Sequence, residues 1–221
     1  MWETREIGFE TRIDGSFYNP LSELALDILT SNPNRKTTLA NKDIVEKIIL
    51  PGRFKRVYVK KDYGVPFLSG KDIVKTYPND LKYISRIKTK KLRTYIIKEG
   101  WSLITCSGTM GRTALVTKEW DGWAATQHII RIVPKNIHPG YVYAFLSSDY
   151  GQAQFSRFIH GSVVDEITDK QTEKVSILIP DNDIQNKIGS KTQKAFNLRS
   201  EANQIETTAI ELIEEEIFNS E

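Results

Sequence analysis

The chain has 221 residues, of which 39% are hydrophobic and 27% are charged, so its composition is that of a globular protein with a buried core. No apolar run approaches the ~20 residues that span a bilayer, and the charged first residues lack the apolar stretch of a signal peptide. The single cysteine, Cys106, excludes an internal disulfide. These features predict a cytoplasmic protein with no membrane partner.

The net charge of +3 is unevenly distributed along the chain. Residues 184–221 hold four basic and seven acidic side chains, which leaves an excess of six positive charges on the remainder. A basic body with an acidic end favours an anionic partner for the body. Many proteins with this charge bind no nucleic acid, so composition alone does not decide the partner.

The predicted elements begin with a short helix over residues 21–29, where apolar side chains recur at helical spacing. Residues 42–50 form a second possible helix or turn before Pro51-Gly52. Further along the chain, short apolar and β-branched runs predict strands, and two longer segments, residues 141–148 and 150–158, predict helices. The predicted strands cover residues 57–59, 102–105, 113–117, 128–133 and 175–179. This order predicts an α+β fold with a mixed or antiparallel sheet.

The last segment carries the clearest periodic pattern. Steps of four and three residues give an apolar series that only Lys191 interrupts: Ile184, Ile188, Ala195, Leu198, Ala202, Ile205, Ala209 and Leu212. Such a heptad series predicts a long coiled-coil helix, which Asp181 or Asp183 can cap. We therefore divide the chain into a β-rich domain, residues 1–182, and a helix, residues 183–221, for dimerisation and docking. The alternative is a terminal helix folded back on its own domain.

Catalytic motifs are missing from the sequence. The segment from Gly64 to Lys71 has the wrong glycine spacing for a phosphate-binding loop, and Asp72 replaces the required hydroxyl residue. Neither a nucleophile elbow nor paired metal ligands occur, and the three histidines are scattered. No loop for methyl transfer to a base and no clustered carboxylates for magnesium stand out. We expect a non-catalytic protein without a cofactor or a metal.

Two other features suit nucleic acid. The glycines in residues 105–112 predict a tight turn between two strands that presents Ser107, Thr109 and Arg112, although a plain hairpin turn explains the same pattern. Basic and aromatic residues alternate over residues 53–61 and again over residues 82–93. Lys and Arg neutralise phosphates and read guanine, and Gln and Asn read adenine. Solvated strand and loop faces are an equally good explanation of these charges.

The chain resembles the specificity subunit of type I restriction-modification systems. The matching stretches are residues 64–73, 100–112, 127–128, 141–146, and above all 161–167 followed by 175–180 and 185–188, with a looser likeness at residues 12–20. Their order and spacing together carry the resemblance. Gly161, Asp165 and Ile167, which precede the last strand and the helix, are interpreted as structural.

The resemblance implies a subunit that reads DNA and does no chemistry itself. Each target-recognition domain of this family reads half of a split DNA site. Long helices separate the domains and dock methyltransferase subunits, which methylate adenine with S-adenosylmethionine, while a translocating nuclease subunit cuts unmodified DNA. Members usually have two recognition domains and this chain has one. It is therefore expected to be a half-subunit that pairs with a second copy or another half, or a fragment.

Contacts to double-stranded DNA are expected from the loops of the body. The candidate residues are Lys71, Arg86, Lys88, Lys90, Lys91, Arg93, Ser107, Thr109, Arg112, Gln127 and His128. Two other hypotheses remain open at this point. The chain is a protein-interaction module without DNA binding, or it is the recognition part excised from a single-chain restriction or modification enzyme.

Overall fold

The computed structural model describes residues 20–75, 78, 80–158 and 166–218. The family likeness at residues 12–19 and the structural interpretation of Gly161 and Asp165 lie outside the described residues. Ile167 is fully buried, as a structural role requires.

The described residues form five α-helices and ten strands. The helices are α1 Pro20–Ser31, α2 Pro139–Ser147, α3 Asp149–Ser156, α4 Asp169–Glu173 and α5 Asn182–Phe218. The strands are β1 Arg35–Thr38, β2 Val45–Ile49, β3 Tyr58–Val59, β4 Gly64–Leu68, β5 Lys82–Ser85, β6 Ser102–Thr105, β7 Thr113–Leu115, β8 Ala124–Ala125, β9 Ile129–Pro134 and β10 Ser176–Ile179. The predicted α+β class is confirmed.

The strands build three sheets. One four-stranded sheet has the order β2-β9-β6-β7 and is antiparallel throughout, and a second has the order β3-β5-β4-β8. In the second sheet only the β4–β8 pair is parallel, and β1 pairs with β10 in a separate antiparallel ribbon. The expectation of a mixed or antiparallel sheet is therefore confirmed.

The core lies on both faces of the β2-β9-β6-β7 sheet. Ile104 and Ile130 point into the larger cluster, which includes α2 and α3, whereas Leu103 and Ile129 point into a second cluster on the other face. All four residues of β6 are buried, as expected of a strand covered on both faces. A third, smaller cluster under β4 and β5 includes Phe67 and packs against Phe54.

One predicted element is wrong, and four strands, the shortest of them β8, were missed together with the short helix α4. Residues 42–50 are not a helix: a turn at residues 42–44 leads into β2, because Val45–Ile49 pairs with the distant strand β9. Strand β1 is Arg-Lys-Thr-Thr, which has no apolar alternation and is a strand only because it pairs with β10. Strands β4 and β5 were also missed. The other predicted strands and helices are confirmed with small shifts of their ends.

Helix α5 is confirmed as a single continuous helix of 37 residues, about 55 Å long. The Asp181 carboxylate accepts the backbone N–H of Ile184 at 2.9 Å, so Asp181 is the residue that caps it. The helix crosses α2 where Gly189 meets Gly140 and the ring of His138. A Cβ on Gly189 would lie 2.1 Å from Nδ1 of His138, so this crossing requires a glycine.

Candidate nucleic-acid interface

Three loops meet at one edge of the molecule because β4 and β8 run parallel and β6 ends beside them. The backbone N–H of Thr126 donates to the carbonyl of Leu68 at 2.9 Å, and that of Cys106 donates to the carbonyl of His128 at 3.0 Å. Gly70 faces the Thr105 methyl, which is 3.4 Å from where a Cβ would be. We call this surface the convergent edge and define it as residues 69–71, 106–107 and 126–128.

A chain of hydrogen bonds runs along the convergent edge. Nη2 of Arg56 donates to Oε1 of Gln127 at 2.9 Å, and Nε2 of Gln127 lies 2.8 Å from Nε2 of His128. Nδ1 of His128 lies 2.8 Å from Oγ of Ser107. Three predicted site residues, Ser107, Gln127 and His128, are therefore brought together. The sequence analysis placed Arg56 in a basic cluster but not among the candidate site residues.

A buried arginine holds the loop that carries Gln127 and His128. Arg131 is fully buried, and its guanidinium donates to the carbonyls of Thr126 at 3.1 Å, Ala125 at 2.6 Å, and Ile129. Burial lowers the pKa of Arg131 to about 10, and no carboxylate contributes to this shift. The backbone of residues 125–129 is thereby fixed from the inside. Sequence reasoning missed Arg131, because a charged residue within an apolar strand gives no sign of what it contacts.

The predicted turn between β6 and β7 is confirmed. Gly108 and Gly111 have positive φ angles of 74° and 76°, which only glycine adopts without strain. The Thr105 hydroxyl donates to the Thr109 carbonyl at 2.6 Å and accepts the Arg112 N–H at 3.1 Å, so the turn is closed by side-chain bonds. Thr109 is exposed at its tip.

A cavity of about 330 Å³ opens beside Ser107 and His128. Arg53 and Glu166 also line it, and neither was among the predicted site residues. Ser107 and Glu166 form an isolated antiparallel β-bridge, which fixes their backbones side by side. The cavity therefore offers hydroxyl, guanidinium and carboxylate groups, the groups that hydrogen-bond the polar edges of bases.

The two basic clusters of the sequence form one surface. Tyr58 pairs with Ile84 across β3 and β5, and the Val57 carbonyl accepts the N–H of Ser85 at 2.8 Å. The Arg56 guanidinium lies 5.6 Å from the ring centroid of Phe67, and Nζ of Lys82 lies 5.3 Å from that of Tyr58. Among the described residues, no carboxylate forms an ion pair with the Lys and Arg side chains of residues 53–61 and 82–93.

The predicted site residues fall in three places. Lys71 is exposed on the convergent edge. The exposed side chains Arg86, Lys88, Lys90, Lys91 and Arg93 follow β5, whose end pairs with the start of β4, so their loop begins at the opposite end of that sheet. Arg112 is exposed and lines a different cavity, of about 390 Å³, between α5 and the body. The structure thus brings Lys71, Ser107, Gln127 and His128 together on the convergent edge and places the other predicted site residues outside it.

The two sides of α5 differ sharply. Its inward side contacts the body: the ring of Phe196 lies 5.0 Å from that of Tyr143, and the Ser200 hydroxyl donates to Glu119 at 2.8 Å. Every member of the predicted heptad series is exposed: Ile184, Ile188, Lys191, Ala195, Leu198, Ala202, Ile205, Ala209 and Leu212. The helix therefore does fold back along its own domain, which was the alternative to a coiled coil. It contacts the domain through a face other than the heptad series. Ile210, Ile213 and Ile217, which were not predicted, are also exposed.

The described residues contain neither a metal site nor a membrane-spanning helix. Among these residues, no group of three or more His, Cys, Asp or Glu side chains has the arrangement of a metal site. None of the helices within the described ranges combines the length and apolar character that crossing a membrane demands. Burial, and then the charge of Glu166, raise the pKa of the Cys106 thiol to about 12, which makes it a poor nucleophile.

A family model for the type I restriction modification DNA specificity domain matches residues 33–214. The chain belongs to this specificity-domain family. The match includes the convergent edge, both basic clusters and nearly all of α5. In type I systems this family supplies a non-catalytic subunit. No curated protein is significantly similar to this specificity domain in sequence.

Solved structures share its fold. A chain described under "Structural basis underlying complex assembly and conformational transition of the type I R-M system" superposes with a TM-score of 0.56 at 16% identity, over 85% of this chain and 47% of that one. The HsdS subunit from Thermoanaerobacter tengcongensis gives 0.54 at 16% identity, over 86% and 46%. The type IIG restriction endonuclease BpuSI gives 0.55 at 12% identity, over 80% and 28%. This specificity domain thus spans about half the length of the first two.

Proposed function

We propose that the chain is a sequence-specific DNA-recognition subunit of a type I-like restriction-modification system. Residues 1–182 form the target-recognition domain, and residues 183–221 form the helix for dimerisation and methyltransferase docking. Membership of the specificity-domain family supports the class of function. The observation that carries the proposal is the hydrogen-bonded chain from Arg56 to Ser107 on the convergent edge, where Arg53 lines the adjoining cavity.

The physical argument separates affinity from specificity. The Lys and Arg side chains of residues 53–61 and 82–93, which form no ion pair within the described residues, neutralise phosphates and release counterions, and this supplies affinity without regard to sequence. Ser107, Gln127, His128 and Arg53 offer fixed polar groups around one cavity, which is what reading base edges requires. Lys71 and Thr109, exposed beside them, extend this surface.

The exposed heptad series of α5 requires a partner with a matching apolar helix. The partner that we propose is a second copy of the chain or another half-subunit, because a heptad series pairs with another heptad series. The remaining surface of the same helix docks the methyltransferase subunits. The restriction subunits join through the assembled complex. In this assembly the partners, in the cytoplasm, methylate or cut the DNA, and the chain itself needs no cofactor.

The test begins with selection of bound duplexes from a random pool, followed by affinity measurements on the selected duplex at increasing salt. We expect at least about a thousandfold preference over random duplex and a steep fall in affinity with salt. Arg56→Ala reduces the affinity, whereas Lys42→Ala, an exposed lysine in the turn before β2, serves as the matched control and leaves it nearly unchanged. Equal affinity for all duplexes, or affinity independent of salt, contradicts the proposal and favours a protein-interaction module.

A second candidate is the recognition part of a single-chain restriction-modification enzyme, because the fold also superposes on part of the type IIG endonuclease BpuSI. Reconstitution separates the two candidates. A half-subunit supports methylation of its target when mixed with a separately purified methyltransferase subunit. The recognition part of a single-chain enzyme supports methylation only when it is covalently joined to its catalytic domain.

A further inference from the structure

The hydrogen bonds of the convergent edge have a defined direction, which Arg56 sets. A guanidinium only donates, so the Gln127 atom that it meets at 2.9 Å must be the carbonyl oxygen, Oε1. Thr126 enforces the same orientation: its hydroxyl accepts from Arg56 at 3.2 Å and donates to Oε1 of Gln127 at 3.2 Å. If the amide were rotated, its NH₂ group would face these two donors.

The direction passes on to His128. With Oε1 facing Arg56, the Gln127 NH₂ group faces Nε2 of His128 at 2.8 Å, and it can only donate there. Nε2 must accept and therefore carries no hydrogen. The single ring hydrogen then lies on Nδ1, which donates to Oγ of Ser107 at 2.8 Å. The hydrogen bond at one nitrogen thus fixes what the other nitrogen does.

Ser107 is the end of this series. Its oxygen already accepts from His128, so its own hydrogen is free to be donated elsewhere. Among the described residues no acceptor takes that hydrogen, and the side chain is half-buried at the wall of the cavity that it shares with Arg53. The hydroxyl is therefore held ready to donate to a group that enters the cavity.

We propose that the relay from Arg56 through Gln127 and His128 makes Ser107 a dedicated hydrogen-bond donor that reads one base pair of the target. The proposal rests on the proposed DNA-recognition function and names one residue that determines its specificity. In the major groove a hydroxyl hydrogen can be donated to N7 of a purine, O6 of guanine or O4 of thymine, but not to the amino group of cytosine, which is itself a donor. Ser107 therefore discriminates against cytosine at the base that it contacts.

The first test is independent of DNA. Two-bond ¹⁵N–¹H correlation spectra of the full chain, in mildly alkaline buffer, report which ring nitrogen of each histidine carries the hydrogen. We expect Nδ1–H for His128 and Nε2–H for His138, whose Nδ1 accepts the N–H of Gly140 at 3.1 Å, so His138 is an internal reference. An Nε2–H form of His128 overturns the relay whatever the DNA experiments show.

Gln127→Glu reverses the relay without changing its shape. The carboxylate of the variant accepts from both Arg56 and Nε2–H of His128, so the ring hydrogen moves to Nε2 and Nδ1 becomes an acceptor. The Ser107 hydroxyl then donates to His128 and faces the cavity as an acceptor. We expect the His128 spectrum to switch while that of His138 does not. A His128 ring that keeps its hydrogen on Nδ1 in the variant contradicts the argument.

The DNA test uses the selected duplex and every single base-pair substitution of it. For the wild type, one position disfavours cytosine by about fivefold, as expected for one neutral hydrogen bond. Ser107→Ala removes that preference and keeps the preferences at other positions, and Gln127→Glu shifts it toward cytosine or adenine. If Ser107→Ala leaves every position unchanged, the proposed role of Ser107 is wrong although DNA recognition stands. If no duplex is preferred at all, the proposed function is wrong.

Discussion

Helix α5 and the convergent edge are built in opposite ways. The helix exposes most of its aliphatic side chains, such as Ile205 at 64%, and its buried residues are Gln185, Gly189 and Asn203. The edge exposes polar side chains and is held from beneath by a fully buried charge, Arg131. An ordinary surface helix shows the reverse of α5, with its apolar stripe buried.

The two regions therefore differ in whether they need a partner for their own stability. The stripe of α5 lacks an apolar partner, so its stabilising contacts must come from another helix. The convergent edge is held by hydrogen bonds within its own domain, since the carbonyls of Ala125 and Thr126 and the side chain of Gln127 already have partners. It is a preorganised surface that needs no rearrangement to bind. Changes to the helix should therefore alter assembly, and changes beneath the edge should alter stability and DNA recognition.

The largest expected effect comes from Arg131→Met. The substitution removes the donors to the carbonyls of Thr126, Ala125 and Ile129 and leaves them buried without partners. We expect the free energy of unfolding to fall by about 3–5 kcal/mol, measured by urea denaturation at fixed protein concentration. Arg86→Met, at an exposed position, changes it by less than about 0.5 kcal/mol. A loss under about 1 kcal/mol for Arg131→Met would show that water satisfies these carbonyls.

Ile205→Asp tests the exposed apolar stripe of α5. A charge in the exposed stripe weakens pairing of α5 with a second copy, and we expect about a hundredfold loss of self-association in sedimentation equilibrium. Asn186→Asp adds the same charge at an exposed position outside the heptad series and leaves self-association unchanged. If both variants associate like the wild type, the stripe does not mediate pairing between copies.

The sequence predicted the helix and its stripe because both follow from local spacing, from Ile184 to Leu212. It did not predict the convergent edge, because that edge depends on contacts between distant residues. Arg56 reaches Gln127 across 71 positions of the chain, and β4, which carries the Lys71 loop, was not predicted as a strand. Gln127 was identified as a polar residue of a type that reads adenine, and His128 through the family resemblance, whereas nothing in the sequence indicated that Arg131 supports them.

Gly189→Ala probes the contact between helix and body. Alanine normally stabilises a helix by about 1 kcal/mol relative to glycine, but here its Cβ would meet the His138 ring. We expect a net loss of about 2 kcal/mol in unfolding free energy, because so close an approach to the ring puts the overpacking cost near the upper end of about 1–3 kcal/mol, and the helix propensity offsets about 1 kcal/mol of it. In a double-mutant cycle His138→Ala relieves most of that loss. Gly52→Ala, where nothing lies within 4 Å of the new Cβ, is the matched control.

Cys106, a fully buried residue of the convergent edge, gives the smallest predicted effect. Burial, then the charge of Glu166, raise the pKa of its thiol from 9.0 to about 12. Above pH about 9 the unfolded thiol loses its proton while the folded one keeps it, so stability falls as pH rises. Between pH about 8 and about 10 this contributes a loss of about 1.4 kcal/mol. Cys106→Ala should lose less stability than the wild type by that amount over the same range, because only the thiol has been removed. Equal losses in the two proteins would mean that the thiol ionises in the folded state as readily as in the unfolded one, and that water reaches beneath the edge.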